Sequence, residues 1–300
     1  MGVDVESALV ELMTKFINTV AVKLPSDVYA KLLELSSKET SSSGKFIYSA
    51  IFKNLELALL RKAPLCQDTG VLEFYVTLGE MFPYKSLLLK SIRKAVIEST
   101  KQGFLRPNVV DPVSDKNTGD NTGPLIPWIE VDIEPGSDHV DVRLYMAGGG
   151  SSRPGTARVL DPAEGWEGLV KFVIDVIAKY GPPACPPLMV VGVGVGPTVE
   201  IAAVLSKRAL LRPLGSRNPE PSIARLEEIL EDAINKLGIG PQGLGGSTTV
   251  GEVHIEYAGR HPATFAVGVN TACWALRKGW LRINSDLSYQ LLSHRGGLIE

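Results

Sequence analysis

The chain has no excess of positive charge, no apolar run long enough to cross a bilayer and only three cysteines. Each shortage removes a class of function. Its 31 Lys and Arg stand against 33 Asp and Glu, so nothing is set to neutralise a phosphate backbone or grip an anionic membrane, and nucleic acid and membrane drop out as partners. The apolar stretch LMVVGVGVG, from Leu188, is too short and too rich in glycine to span a membrane. The N-terminal MGVDVESALVELM carries acidic residues where a secretory leader has basic ones ahead of an apolar run, which points to the cytoplasm. Repeats, low-complexity tracts and an obvious linker are missing too. VGVGVGP supplies Gly192, Gly194 and Gly196, but the third glycine comes one position too early for G-x-G-x-x-G and no Walker lysine follows.

The composition that remains, 44% hydrophobic and 21% charged over 300 residues, is that of a globular chain able to bury a sizeable core. Leu9, Leu12, Phe16 and Val20 recur at helical spacing, as do Leu55 and Leu59 and the apolar residues of LLLKSIRKAVIEST, WEGLVKFVIDVIAKYG and IARLEEILEDAINKLG. SSKETSSSGK, residues 36–45, reads as a loop. VLEFYVTL, LMVVGVGVG and the alternations at Val253, Ile255, Tyr257 and at Phe265, Val267, Val269 read as strands. Ile129, Val131 and Ile133, then Val140, Val142, Leu144 and Met146, alternate with polar residues around Pro135-Gly136, which predicts a hairpin with one buried face. The expectation is a mixed α/β (α+β) fold: one compact catalytic unit over residues 1–300, with a helical N-terminal part over about 1–65 and a mixed sheet.

Cys66, Cys185 and Cys273 form no C-x-x-C pair, yet each stands where an ordered segment meets a turn: LCQDTG and ACPP before strands, NTACW after one. Element ends are where sites are built, while a thiol packed as a small apolar group is the plainer alternative. Gathered by folding, three thiolates suit an iron-sulfur cluster or zinc, because soft ligands select those metals. A four-iron cluster with three protein ligands leaves one iron open as a Lewis acid. Asp68 and His261 make a proton-transfer pair beside such a site if the segments converge, and are ordinary hydrogen-bonded residues if they do not. The three glycines 148–150 either let backbone N–H groups approach an anion or form a flexible corner. Residues 106–124 are polar, turn-rich and too long for a mere connector, and Arg106 offers a fork to a carboxylate. Two readings need no cluster. Cys66 activated by His261 gives a thiol hydrolase, and a chain that keeps the fold without chemistry gives a binding subunit.

Taken together, CQDTG, the RPN and NTGDNT segments, GGGS, ACPPL with VVGVGVGPT, GPQGLGG, and RHPA with CWALR resemble the class I fumarases and L-tartrate dehydratases. The chain is most similar to the separate α subunit of such enzymes where they are split into α and β polypeptides. The resemblance implies a 4Fe-4S cluster on Cys66, Cys185 and Cys273, substrate contacts from Gln67, Arg106 and the Gly149 backbone, and proton transfer by Asp68 with His261. Reversible hydration of fumarate to malate is the leading expectation, and dehydration of L-tartrate or a related hydroxy-dicarboxylate is the alternative. A separate β subunit is implied, bringing further cationic groups and the base for the carbon-bound proton, in a hetero-oligomer of two α and two β chains. Two departures bear on substrate choice: Ser152-Arg153 stands where the family often has Glu-Asn, and Gly259-Arg260 where His-Thr is frequent.

Overall fold

In the computed structural model, which describes residues 4–299, the chain opens with α1 (Val5–Val22), α2 (Ser26–Lys38) and α3 (Ser42–Arg61). There follow β1 (Val71–Gly79), α4 (Lys85–Lys101), the short β2 (Val110–Asp111) and β3 (Lys116–Asn117), β4 (Trp128–Glu134), β5 (Val140–Ala147) and the single turn α5 (Gly149–Ser152). The rest is β6 (Thr156–Leu160), α6 (Gly165–Tyr180), β7 (Leu188–Gly196), α7 (Val199–Ala209), α8 (Pro221–Asn235), β8 (Val250–Tyr257), β9 (Phe265–Ala272), β10 (Lys278–Ile283) and β11 (Tyr289–Leu291). The class is the mixed α/β one expected from the two periodicities. Among the described residues no helix is long and apolar enough to cross a membrane.

These elements fall into two compact units. Of the described residues, the first comprises 4–26, 53–148 and 277–299, the second 27–52 and 149–276. Neither is a contiguous stretch, which is why no linker marks the boundary in the sequence.

The first unit is a five-stranded sheet in the order β11-β10-β5-β1-β4. One of its faces carries the core, where Met13, Phe16 and Ile17 of α1 and Leu88 and Ile92 of α4 meet Leu72, Phe74, Val142 and Leu144. Fully burying side chains of this kind contributes about 1.5–3 kcal/mol apiece. The hairpin read from the alternating residues is not formed. β1 lies between the two strands, pairing β4 in parallel (Phe74↔Ile129) and β5 antiparallel (Phe74↔Leu144). A period of two states which face a side chain takes and is silent about the neighbouring strand. Gly79 makes room for the connection over the end of β1: its N–H donates to His139 O at 2.9 Å, and a Cβ there would stand 2.3 Å from that oxygen. Edge placement leaves Val131 and Ile133 40% and 68% exposed, so the buried face holds for β5 and not for β4.

The second unit is a four-stranded sheet in the order β6-β9-β7-β8. All nine residues of β7 are buried, because helices cover both faces. Its valines Val191, Val193 and Val195 join the core with Leu169 and Val173 of α6 and Ile223 and Leu230 of α8. Its glycines receive α7: a Cβ on Gly192 would lie 2.2 Å from Ser206 O, and one on Gly194 2.0 Å from Ala202 O. The repeated Gly is therefore a groove for a helix backbone, consistent with the absence of a nucleotide fingerprint.

The serine-rich stretch at 36–45 is mostly helical, contrary to the loop reading. Only residues 39–41 separate α2 from α3, because Ser41 Oγ accepts the Gly44 N–H at 3.0 Å as an N-cap and the buried Glu39 carboxylate gathers N–H groups of Ser41, Ser247 and Thr248. Burial pushes the Glu39 carboxyl up, but the Thr248 hydroxyl and the Ser41 and Ser247 N–H groups outweigh it, bringing it from 4.5 to about 2. Glu252 behaves alike: burial raises it, and His254 and Lys31 bring it from 4.5 to about 2. A carboxyl depressed in the folded state contributes stability above its unfolded pKa and loses it as pH falls through the folded one. The thermal midpoint is thus expected to decline as pH drops from 4.5 to about 2, with Glu39→Gln flattening that decline. An unaltered slope in Glu39→Gln would show that Glu39 contributes nothing to it.

Candidate active site

The CQDTG turn of the first unit is fixed from both ends. Leu65 N–H donates to Ala21 O at 3.0 Å and Asn54 Nδ2 to Leu65 O at 2.7 Å, which anchors the residue before Cys66. Gly70 adopts φ +77°, and a Cβ on it would stand 2.7 Å from the Ala147 carbonyl, so only glycine lets the turn lie against the end of β5. Within the turn Cys66 is partly buried, with its Sγ 3.9 Å from Gln67 Oε1, and the Gln67 side chain is exposed. Asp68 Oδ1 accepts the Gly70 N–H at 3.0 Å and Asn108 Nδ2 at 3.3 Å. Thr69, 1% exposed, exchanges bonds with Arg106: its hydroxyl donates to Arg106 O at 3.2 Å and accepts the Arg106 N–H at 3.0 Å. Asp68 and Arg106 are thereby brought to adjacent turns, with the Arg106 residue exposed.

In the second unit the predicted segments converge on Cys185. This residue ends the Pro182–Ala184 turn in the left-handed region, φ 56° and ψ 55°. Trp274 N–H donates to Cys185 O at 3.4 Å, which sets Cys273 in the neighbouring segment, and Gln242 N–H donates to Pro186 O at 2.7 Å, which brings in the GPQGLGG loop. The GGGS stretch forms α5, held by the Thr271 hydroxyl donating to Ser151 O at 2.5 Å. A Cβ on Gly150 would stand 3.8 Å from Cys185 Sγ, so the missing side chain keeps that flank of the sulfur open. Gly149 beside it is exposed. His261 lies between β8 and β9, exposed, with its Nδ1 accepting the Ala263 N–H at 3.1 Å.

Of the residues singled out in the sequence, Cys66, Gln67, Asp68 and Arg106 belong to the first unit, and Gly149, Cys185, His261 and Cys273 to the second. Among the described residues no set of three or more His, Cys, Asp or Glu side chains gathers as ligands of a single metal ion. An iron-sulfur cluster spreads its thiolates over separate irons and makes no such demand. The donor set suits one: all three thiols are outside disulfides and partly buried, and Cys185 has the open flank left by Gly150. Sequence reasoning passed over Asn108, which bonds to the CQDTG turn, and Asn121, which bonds to Arg106 O. The RPN and NTGDNT segments were noticed, but asparagine there reads simply as a turn former.

Comparison with known proteins gives the chain a family. The chain belongs to the fumarate hydratase (fumerase) family, whose model matches residues 10–282. It is 48% identical over 286 residues, 95% of this chain and 94% of the relative, to the L(+)-tartrate dehydratase subunit alpha of Escherichia coli strain UTI89. The corresponding protein of strain K12 is 47% identical over the same span. The putative L(+)-tartrate dehydratase subunit alpha of Methanocaldococcus jannaschii is 37% identical over 279 residues, 92% of this chain and 98% of the relative. The chain is a hydro-lyase, and its family implies an iron-sulfur cofactor.

Proposed function

We propose that the chain is the α subunit of an L(+)-tartrate dehydratase, with a 4Fe-4S cluster on Cys66, Cys185 and Cys273. The observation that carries this reading is the 47–48% identity, over 95% of the chain, to α subunits bearing that name. It supports tartrate over the fumarate/malate pair that the sequence motifs suggested first. The whole chain acts as one catalytic module and pairs with a separate β subunit in a hetero-oligomer of two α and two β chains. Thiol ligation suits a reducing cytoplasm.

A cluster held by the Cys66, Cys185 and Cys273 thiolates would supply Lewis acidity to the reaction. The Arg106 guanidinium binds one substrate carboxylate through its fork. Backbone N–H groups at Gly149, with the Gln67 amide, orient the other end of the substrate. Asp68, tuned by His261, delivers a proton to the departing hydroxyl, and the base for the carbon-bound proton comes from the β subunit. Loss of water from a vicinal diol gives an enol, which rearranges to the keto acid.

The test is anaerobic co-purification with the β subunit followed by a substrate panel. L-tartrate is expected to exceed malate and fumarate in kcat/KM by at least about tenfold, the scale of discrimination among closely similar substrates. Preference for malate and fumarate would return the assignment to the hydratase named by the family.

A further inference from the structure

The segment between α4 and β4 is long and polar, yet two asparagine side chains bind it into a frame. Asn121 is 1% exposed and takes φ 61°, a left-handed conformation that asparagine tolerates better than most residues. Its carboxamide is used at both ends: Oδ1 accepts the Asn108 N–H at 2.8 Å, and Nδ2 donates to Arg106 O and to Thr100 Oγ1, each at 3.0 Å. Thr100 is part of α4, so the Arg106 main chain is tied to a helix. Asn108 faces the other turn. Its Nδ2 stands 3.3 Å from Asp68 Oδ1, 3.3 Å from Thr69 Oγ1 and 3.4 Å from Gly70 O, so two N–H bonds are shared among three acceptors of CQDTG. Aspartate could not replace either residue, because a carboxylate accepts only, and both frames need amide donors.

We infer that Asn108 and Asn121 are positioning residues: Asn108 sets the orientation of the Asp68 carboxylate, and Asn121 sets the place of Arg106. This rests on the roles proposed above for Asp68 and Arg106. The two amides then divide the work. Asp68 acts in the chemical step, so loss of Asn108 is read in kcat. Arg106 holds substrate throughout, so loss of Asn121 is read in KM.

The experiment uses the anaerobically assembled complex of both subunits, with iron content and thermal midpoint measured on every variant. Asn108→Ser is expected to lower kcat about tenfold to a hundredfold with KM within about threefold, the scale of a small misplacement of a reacting group. Asn108→Gln, which keeps an amide donor, should recover part of kcat. Asn121→Gly keeps the left-handed backbone, and should raise KM and the Kd of the inert dicarboxylate succinate about tenfold, or about 1.4 kcal/mol, with a fall in kcat smaller than that of Asn108→Ser, because the Asn108 N–H loses its acceptor while its side chain keeps the CQDTG bonds. Changes of kcat and KM together in both variants, or losses in step with iron content or thermal midpoint, would overturn the inference and leave a purely structural frame. Full turnover in Asp68→Asn would sink the underlying site assignment. A silent Asp68→Asn with an unaffected Asn108→Ser would sink the positioning of Asp68 alone.

Discussion

Replacing Cys185 by Ser is expected to strip iron from the anaerobically assembled complex and with it nearly all turnover, whereas the fold survives. Serine is nearly isosteric with cysteine and is no more strained at φ 56°, so the turn before β7 should keep its shape. The hydrogen bond from Trp274 N–H goes to the residue 185 carbonyl, which the exchange leaves in place. What changes is the donor atom: a thiolate is soft and readily formed, and a serine hydroxyl is neither, so an iron-sulfur cluster loses one of three anchors. Intact complex should carry roughly four irons per α chain, and the variant should fall far below that with little change in thermal midpoint. The thiol-hydrolase alternative makes the opposite demand, since Cys185 is then a spectator and only Cys66→Ser silences the enzyme. Iron content equal to wild type in Cys185→Ser would dispose of the cluster assignment.

Much of the fold is legible because burial imposes a period. Leu9, Met13, Phe16, Ile17 and Val20 line the core side of α1 as the helical spacing requires. Three of the second unit's four strands, β7, β8 and β9, are legible too, although β8 is buried on both faces and holds a fully buried His254, bonded to Glu252 Oε2 at 2.8 Å, whereas β6 is not. Pairing partners are a different kind of information. Nothing in VLEFYVTL shows that it will insert between two later strands, because strand order depends on which edges remain open once the core has formed. The Val-Gly alternation of β7 has the same character: it is visible in the sequence, but its purpose depends on Ala202 and Ser206 of α7, which lie on another element. Loop 39–41 is short for a related reason, because Ser41, which looks like a linker residue, serves as a helix cap and as a donor to a buried carboxylate.

The candidate site divides along the same line. Cysteines placed at element ends, each beside Gly, Pro or Asn, are conspicuous in a chain that has only three. A conformational demand is visible at Gly70, where the backbone of Ala147 leaves no space for a side chain. Asn108 and Asn121 are hidden, since their work lies in bonds to residues as distant as Asp68 and Thr100. Residue type alone could only mark them as turn formers.

Asp68→Asn should lower kcat by about a hundredfold to ten-thousandfold, the usual contribution of a positioned general acid or base, and leave the iron content untouched. The exchange is nearly isosteric. An amide oxygen at the same place can accept the Gly70 N–H now held at 3.0 Å and the Asn108 amide at 3.3 Å, so the turn keeps its anchors. What it cannot do is carry and release a proton in the range where the carboxyl does. On the proposed roles, substrate binding through Arg106 should be unaffected by that loss, because the bonds that fix the Arg106 main chain come from Thr69 and Asn121 and not from the Asp68 carboxylate. KM should therefore move little while kcat collapses, the signature of an interaction made only on the way to the transition state. Arg106→Ala should show the reverse emphasis, a large rise in KM for a dicarboxylate. If Asp68→Asn instead raised KM and spared kcat, its carboxyl would be arranging substrate, and the proton for the leaving hydroxyl would have to come from His261 or from the β subunit.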